Sequence, residues 1–184
     1  MTVRLTILCE NSVGRPLGLI GEHGFSCHLE TPSGNYLFDT GSGLGIAANA
    51  RLLNLKLNDL QGIVLSHGHY DHVGGLSKVL AQTGPIDVYA HPELFIPRYS
   101  LAGSEQRVIG VPDSQTELEQ LGARFQFSKD PVELTPELVI SGEIARTTDF
   151  ENGDPKLCCA GKDGILNPDP LADDLSLLIN TEQG

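Results

Sequence analysis

The chain has 184 residues, of which 40% are hydrophobic and 20% are charged. This length suits one domain with its own hydrophobic core, so we expect residues 1–184 to form a single domain. The formal charge of −12 and the absence of Lys/Arg clusters argue against nucleic acid as a partner. No apolar stretch approaches the ~20 residues of a bilayer span, and residues 1–9 resemble a strand instead of a signal peptide. We therefore expect a cytoplasmic protein that does not bind membranes.

Hydrophobic periodicity predicts strands and helices in alternation along the first half of the chain. The predicted strands are residues 3–9, 25–30, 36–39, 62–66 and 86–89, and the predicted helices are residues 46–55 and 74–82. The dipeptide His91-Pro92 follows a strand and predicts the start of a helix, which makes His91 a structural residue. An α/β chain with a central sheet follows from this alternation.

The pattern is weaker in the second half of the chain. It predicts strands at residues 107–111, 124–127, 138–141 and 175–180 and a helix at residues 114–121. Residues 149–172 are rich in Gly, Pro, Asp and Asn and predict a long loop. The final Thr181–Gly184 segment suits a hairpin turn, and no partner strand follows it. We therefore expect a chain truncated at its C-terminus, or an oligomer in which a second copy completes the sheet.

Four ligand-type side chains lie within six positions of the segment His67-Gly68-His69-Tyr70-Asp71-His72. In an extended loop that leaves a strand, residues at i and i+2 point to the same side, so His67 and His69 can converge on one cation. Asp71 and His72 follow on the next turn and can reach a second cation. Mixed imidazole and carboxylate ligation suits zinc, with manganese or iron as alternatives. The other interpretation, ordinary histidines on a turn, does not explain so dense a cluster.

This HxHxDH motif, together with the upstream Leu37–Gly41 segment, resembles the metallo-β-lactamase superfamily. The resemblance implies an αβ/βα sandwich, here mainly its N-terminal half, with a mixed sheet, outer helices and the metal loop at the sheet edge. It also implies a two-metal site in the complete fold, most simply zinc, and a catalytic Asp71 that holds the attacking water. Asp39 would orient the histidine loop through a hydrogen bond, although a plain Asx turn is the alternative.

Further segments resemble the subgroup named for 7,8-dihydropterin-6-methyl-4-(β-D-ribofuranosyl)aminobenzene 5′-phosphate synthase. They are Glu22–Ser26, Ser141–Arg146, Phe150-Glu151 and Asp173-Asp174. The subgroup implies a small-molecule substrate and transfer of a pterin-methyl group from a diphosphate ester to an arylamine, within a broader class of phosphoester hydrolysis. His23 would then be a pocket residue near the metals, and Arg146 would bind a substrate phosphate. A turn histidine and a solvated loop arginine are the alternatives.

The sequence also departs from the family pattern. Family members continue into a Gly-Cys-Ser-His segment and a later His, whereas no histidine follows His91 here. A catalytic zinc normally has three protein ligands and water, and His67 with His69 supplies two. The internal substitutes are His23, His28, Asp173, Asp174 and Cys159. A non-catalytic metal-binding remnant is therefore the alternative function, and a di-iron redox centre is a third, although it calls for Glu where Tyr70 stands.

Overall fold

The fold is given by a computed structural model, which describes residues 2–14, 17–103, 105–150, 153–161 and 163–181. Strands and short helices alternate through the first half, as the hydrophobic periodicity predicts. In chain order they are β1 (Arg4–Cys9), β2 (Ser26–Thr31), β3 (Gly34–Phe38), α1 (Ile46–Leu52), a 3-10 turn (Leu57–Asp59), β4 (Leu60–Val64), α2 (Tyr70–Val73), α3 (Leu76–Thr83) and β5 (Ile86–Ala90).

The second half is built mainly from short strands. In chain order, the strands and the helix described in this half are β6 (Arg98–Ser100), β7 (Arg107–Val108), α4 (Gln115–Gln120), β8 (Ala123–Phe127), β9 (Val132–Thr135), β10 (Leu138–Ile140), β11 (Leu157–Ala160), β12 (Leu166–Pro168) and β13 (Leu177–Ile179). The helix begins at a capping box, in which Ser114 and Glu117 satisfy each other's backbone N–H groups. No helix in the described ranges combines the length and apolar character needed to cross a bilayer.

A six-stranded mixed sheet in the order β1-β2-β3-β4-β5-β8 forms the centre of the fold. The first three strands pair antiparallel, and β3, β4, β5 and β8 run parallel. A three-stranded sheet (β13-β10-β9) and a four-stranded sheet (β12-β11-β6-β7) complete the architecture. The predicted α/β class with a mixed sheet is therefore confirmed. The single-domain organisation stays a prediction.

Hydrophobic side chains fill both faces of the large sheet. On one face, α3 contributes Leu76, Val79 and Leu80 at i, i+3 and i+4, all at most 1% exposed. Burial of each such side chain contributes about 1.5–3 kcal/mol. On the other face, residues of β2 and β3 pack against Leu138 of the three-stranded sheet. The central strands are thus covered on both faces. This packing holds the strands, and therefore their carboxyl ends, in position.

Three of the sequence-based expectations were wrong. His91-Pro92 begins a turn, not a helix, because the His91 ring accepts the N–H of Glu93 and closes a local loop. Residues 149–172 are not one long loop, since β11 and β12 form a hairpin that pairs with β6. The strand expected at residues 107–111 is limited to β7. In the first two cases, a local side chain and a distant strand decided the structure.

The last strand is paired within the described chain. Leu177–Ile179 forms an antiparallel ladder with Leu138–Ile140, so one of its edges is satisfied. The hairpin turn expected beyond it, residues 182–184, lies outside the described residues, as does Glu151. Truncation and oligomerisation stay predictions.

Candidate metal centre

The predicted metal loop leaves the carboxyl end of β4, an interior strand of the large sheet. Asp39 follows the neighbouring β3, and its backbone N–H donates to the Val64 carbonyl at 2.9 Å. Carboxyl ends of parallel strands are where ligands bind in open α/β sheets. We expected the loop at the sheet edge. It lies at the edge that the carboxyl ends of the parallel strands form, and not beside an outermost strand.

Asp39 holds this loop in place through its carboxylate hydrogen bonds. It is 1% exposed and adopts a left-handed backbone conformation (φ 58°), which Asp tolerates better than most residues. Its carboxylate accepts hydrogen bonds from Ser66 N at 2.7 Å, from Ser66 Oγ at 2.7 Å and from His72 Nδ1 at 2.8 Å. The Nδ1 atom of His72 is thereby occupied, and its Nε2 is the nitrogen that the predicted metal would bind.

The three histidine rings of the loop lie together. The His67 ring centroid is 4.7 Å from that of His69 and 4.2 Å from that of His72. His69 caps the start of α2, and its Nε2 is buried with no hydrogen-bond partner among the described residues. A buried nitrogen without a partner is costly in an apo protein and is expected where a ligand completes the contact. The donor types and this unpartnered nitrogen fit a divalent transition metal.

The charge states of the rings favour metal binding. Burial, followed by the positive charges of neighbouring His72, His69 and Arg98, lowers the pKa of His67 to about 2. His67 is therefore neutral at pH 7, the form that ligates metals. For His72, burial acts to lower the pKa, but the hydrogen bond and charge of Asp39 outweigh it and raise the pKa above its ordinary value.

A pocket of about 280 Å³ opens beside the loop. It is lined by His23, His69, Tyr70, Asp71, Ser100, Arg107, Ile109 and Leu157. The Asp71 Oδ2 atom lies 3.4 Å from His23 Nε2 and 3.7 Å from His72 Nε2. His23 in turn contacts Asn11 through Nδ1 at 2.9 Å. The structure thus places the predicted pocket residue His23 beside the predicted catalytic residue Asp71.

The described residues include no group of three or more His, Cys, Asp or Glu side chains that is already arranged to hold a metal ion. His67, His69, Asp71 and His72 are brought into one cluster, but their donor atoms are not all converged on one point. Their assignment as metal ligands stays a prediction.

The other predicted residues lie in different surroundings. Arg146 does not line the pocket, and its guanidinium donates to the Pro170 carbonyl at 3.1 Å and contacts Asp174 Oδ2 at 3.4 Å. His28 is buried on β2, in register with Thr6 and Leu37 of the adjacent strands. Cys159 is a free thiol on β11. Phosphate binding by Arg146 stays a prediction.

Sequence analysis missed two buried residues of the site, Arg98 and Asp169. Arg98 Nε donates to Asp169 Oδ2 at 2.8 Å, and the same oxygen lies 3.7 Å from His69 Nε2. Burial raises the pKa of Asp169, but contacts from His69, the Leu171 N–H and Arg98 outweigh it and lower the pKa to about 2. No local pattern marks either residue, because the two stand 71 positions apart.

The chain is similar to curated proteins over almost its whole length. Over 99% of its length the chain is 30% identical to 7,8-dihydropterin-6-methyl-4-(beta-D-ribofuranosyl)-aminobenzene-5'-phosphate synthase of Methanocaldococcus jannaschii. Over 95% of its length it is 32% identical to an uncharacterized protein of the same organism. The chain spans 65% of the length of each of these relatives.

A solved structure shows the same fold. The crystal structure of a metal-dependent hydrolase of the β-lactamase superfamily superposes on 100% of this chain and 63% of its own, with a TM-score of 0.77 and 26% identity. Residues 23–154, which contain both Asp39 and the histidine loop, match the metallo-beta-lactamase superfamily. The chain belongs to the metallo-β-lactamase superfamily.

Proposed function

We propose that this chain carries the metal-binding site of a metal-dependent hydrolase or group-transfer enzyme that acts on a phosphorylated or pterin-type small molecule. The observation that carries the proposal is the clustering of the His67, His69 and His72 rings, together with a buried His69 Nε2 that makes no hydrogen bond among the described residues and lies 3.7 Å from Asp169 Oδ2. The name of the synthase relative supports the pterin-type substrate, and membership of the superfamily supports the broader hydrolytic class.

His67 and His69 would hold one cation, and Asp71 with His72 would hold a second. Zinc suits this set of imidazole and carboxylate donors, and manganese or iron are alternatives. A divalent metal bound here would supply Lewis-acid chemistry, which favours hydrolysis of phosphoesters and departure of a diphosphate.

The side chains around the pocket suit the remaining tasks. Asp71 borders the pocket and can accept a hydrogen bond from a water, orienting it toward the substrate. His23 keeps that carboxylate in place through its 3.4 Å contact. Arg107 adds a cation to the pocket and can bind an anionic group of the substrate. A volume of about 280 Å³ suits a small molecule or one end of a larger one.

Metal content tests this proposal. Protein purified without chelator should contain about one or two equivalents of zinc, iron or manganese by plasma mass spectrometry, as expected for the paired ligands. The double variant His67→Ala/His69→Ala should lose that metal. His28→Leu is the matched control, because His28 is a buried histidine outside the loop. The proposal would be contradicted if the wild-type protein contained no metal, or if the double variant contained as much metal as wild type.

One observation favours a second candidate, a metal-binding protein without catalysis. In the described part of the chain no three ligands are already arranged around one point. A turnover assay distinguishes the two candidate functions. The metal-loaded protein would be assayed with phosphomonoesters, with phosphodiesters, and with a pterin diphosphate plus an arylamine. Stoichiometric metal without turnover of any of these compounds would favour the non-catalytic candidate.

A further inference from the structure

We infer that Arg98 is a positioning residue of the metal loop, acting through two buried carboxylates, Asp169 and Asp173. The inference rests on the proposed function, because the segment it positions is the proposed ligand pair His67 and His69. The three charged side chains come from β6 and from the segment that precedes β13. They hold the loop at Gly68, whereas Asp39 holds it at Ser66 and His72.

Asp173 is the link to the loop. Its Oδ2 accepts the backbone N–H of Gly68 at 2.8 Å, and its Oδ1 accepts Arg98 Nη2 at 2.6 Å. Asp173 is 0% exposed and Arg98 is 1% exposed, so neither charge can be satisfied by bulk water. Gly68 stands between His67 and His69, and its peptide orientation decides whether their rings face the same side.

Asp169 is the second buried carboxylate that Arg98 contacts. Arg98 Nε donates to its Oδ2 at 2.8 Å, and Arg98 Nη1 donates to the Leu94 carbonyl at 3.2 Å. The guanidinium therefore bonds to three residues on two chain segments through a planar set of donors. Lysine presents its donors from a single point and cannot reproduce this geometry.

Close packing supports the same conclusion independently. A Cβ added at Gly68 would overlap the Leu94 carbonyl oxygen and would lie 2.6 Å from Arg98 Nη1. The backbone of the loop thus lies directly against the guanidinium and the turn that holds it. Hydrogen bonding and steric contact both set the position of the Gly68 peptide.

The test compares Asp173→Asn and Arg98→Lys with the control Asp87→Asn, which removes an exposed carboxylate paired with Arg124 at 2.8 Å. Zinc affinity is measured by competition with a chromophoric chelator, and exchange of the Gly68 amide is measured by NMR on metal-free protein. Both site variants should bind zinc about 10–100-fold more weakly, the range for residues that orient ligands. In Asp173→Asn, Gly68 should exchange about tenfold faster or more, because a buried charge-assisted hydrogen bond is weakened.

The two readouts separate failure of this inference from failure of the proposed function. Wild-type protein that binds no zinc would overturn the proposed function, and the exchange of Gly68 would still decide whether the network holds the loop. Zinc affinity and Gly68 exchange both within twofold of wild type would overturn the inference. If Asp173→Asn does not fold, the zinc affinity of Arg98→Lys decides whether the inference holds, because this variant keeps the buried positive charge. Weaker zinc binding in Asp87→Asn as well would also overturn the inference.

Discussion

Asp39 Oδ2 accepts a hydrogen bond from His72 Nδ1 at 2.8 Å, across 33 positions of sequence. The contact joins the carboxyl end of β3 to α2, which follows the neighbouring parallel strand β4, and it fixes both the tautomer and the ring orientation of His72. Two further hydrogen bonds from Ser66 hold the carboxylate itself. Asp39 therefore orients the loop without facing the pocket.

Asp39→Asn should weaken metal binding by about 10–100-fold, because the amide keeps the shape of the side chain and loses the charge that orients His72. The measurement is zinc affinity by chelator competition, with circular dichroism to show that the fold is retained. Asp87→Asn, an exposed change on β5, is the matched control. An affinity within twofold of wild type would contradict an orienting role for Asp39.

Metal binding should also stabilise the folded chain. A ligand at 100 times its Kd adds about 2.7 kcal/mol to the free energy of unfolding, which raises the Tm of a protein of this size by about 5–10 °C. The measurement is thermal unfolding with excess zinc and with EDTA. His67→Ala/His69→Ala should show no difference between the two conditions. A zinc-dependent shift that survives in this variant would mean that the metal binds elsewhere.

The site was predictable where its residues are close in sequence. His67, His69, Asp71 and His72 lie within six positions, so strand and turn geometry alone bring their side chains together. Asp39 was found through the resemblance of Leu37–Gly41 to the superfamily, and the parallel pairing of β3 and β4 explains why it lies next to the loop. Local pattern therefore predicted the centre of the site.

Arg98 and Asp169 were not predictable, and neither was the contact of Arg98 with Asp173, because these contacts are distant in sequence. Arg98 meets Asp173 across 75 positions, and a lone arginine on a three-residue strand carries no local signal. The β11-β12 hairpin was taken for a loop because residues 149–172 as a whole are rich in Gly, Pro, Asp and Asn. Its strands form through pairing with β6, a tertiary contact that outweighs weak intrinsic strand propensity.

Arg107→Ala should impair binding of anionic substrates with little effect on the fold. Arg107 is exposed on β7 and borders the pocket that contains His69 and Asp71. Loss of a charge-assisted hydrogen bond to a substrate phosphate should raise KM about tenfold or more and leave kcat nearly unchanged. Arg124→Ala, an exposed arginine away from this pocket, is the control. A fall in kcat at constant KM would instead assign Arg107 to the transition state.

His28 should make the fold sensitive to acid. It is 2% exposed, and neither ring nitrogen has a hydrogen-bond partner within the described ranges. Burial lowers its pKa below the ordinary value, and the charge of Glu30 only partly opposes this. Below about pH 6.5 the unfolded chain therefore binds a proton at this histidine that the native state does not bind. Stability at this position is complete above that pH and falls as the pH decreases toward the lowered native pKa.

His28→Leu should remove this contribution, and it should raise the free energy of unfolding at neutral pH by about 1 kcal/mol, because two unsatisfied polar atoms leave the core. The measurement is urea unfolding of both proteins at pH 7.5 and pH 5.5. Wild type should lose more stability between these conditions than the variant, by up to about 1.4 kcal/mol per pH unit below 6.5. All other titrating groups are common to both proteins and cancel in the comparison. Equal losses would show that native His28 binds its proton as readily as the unfolded chain does.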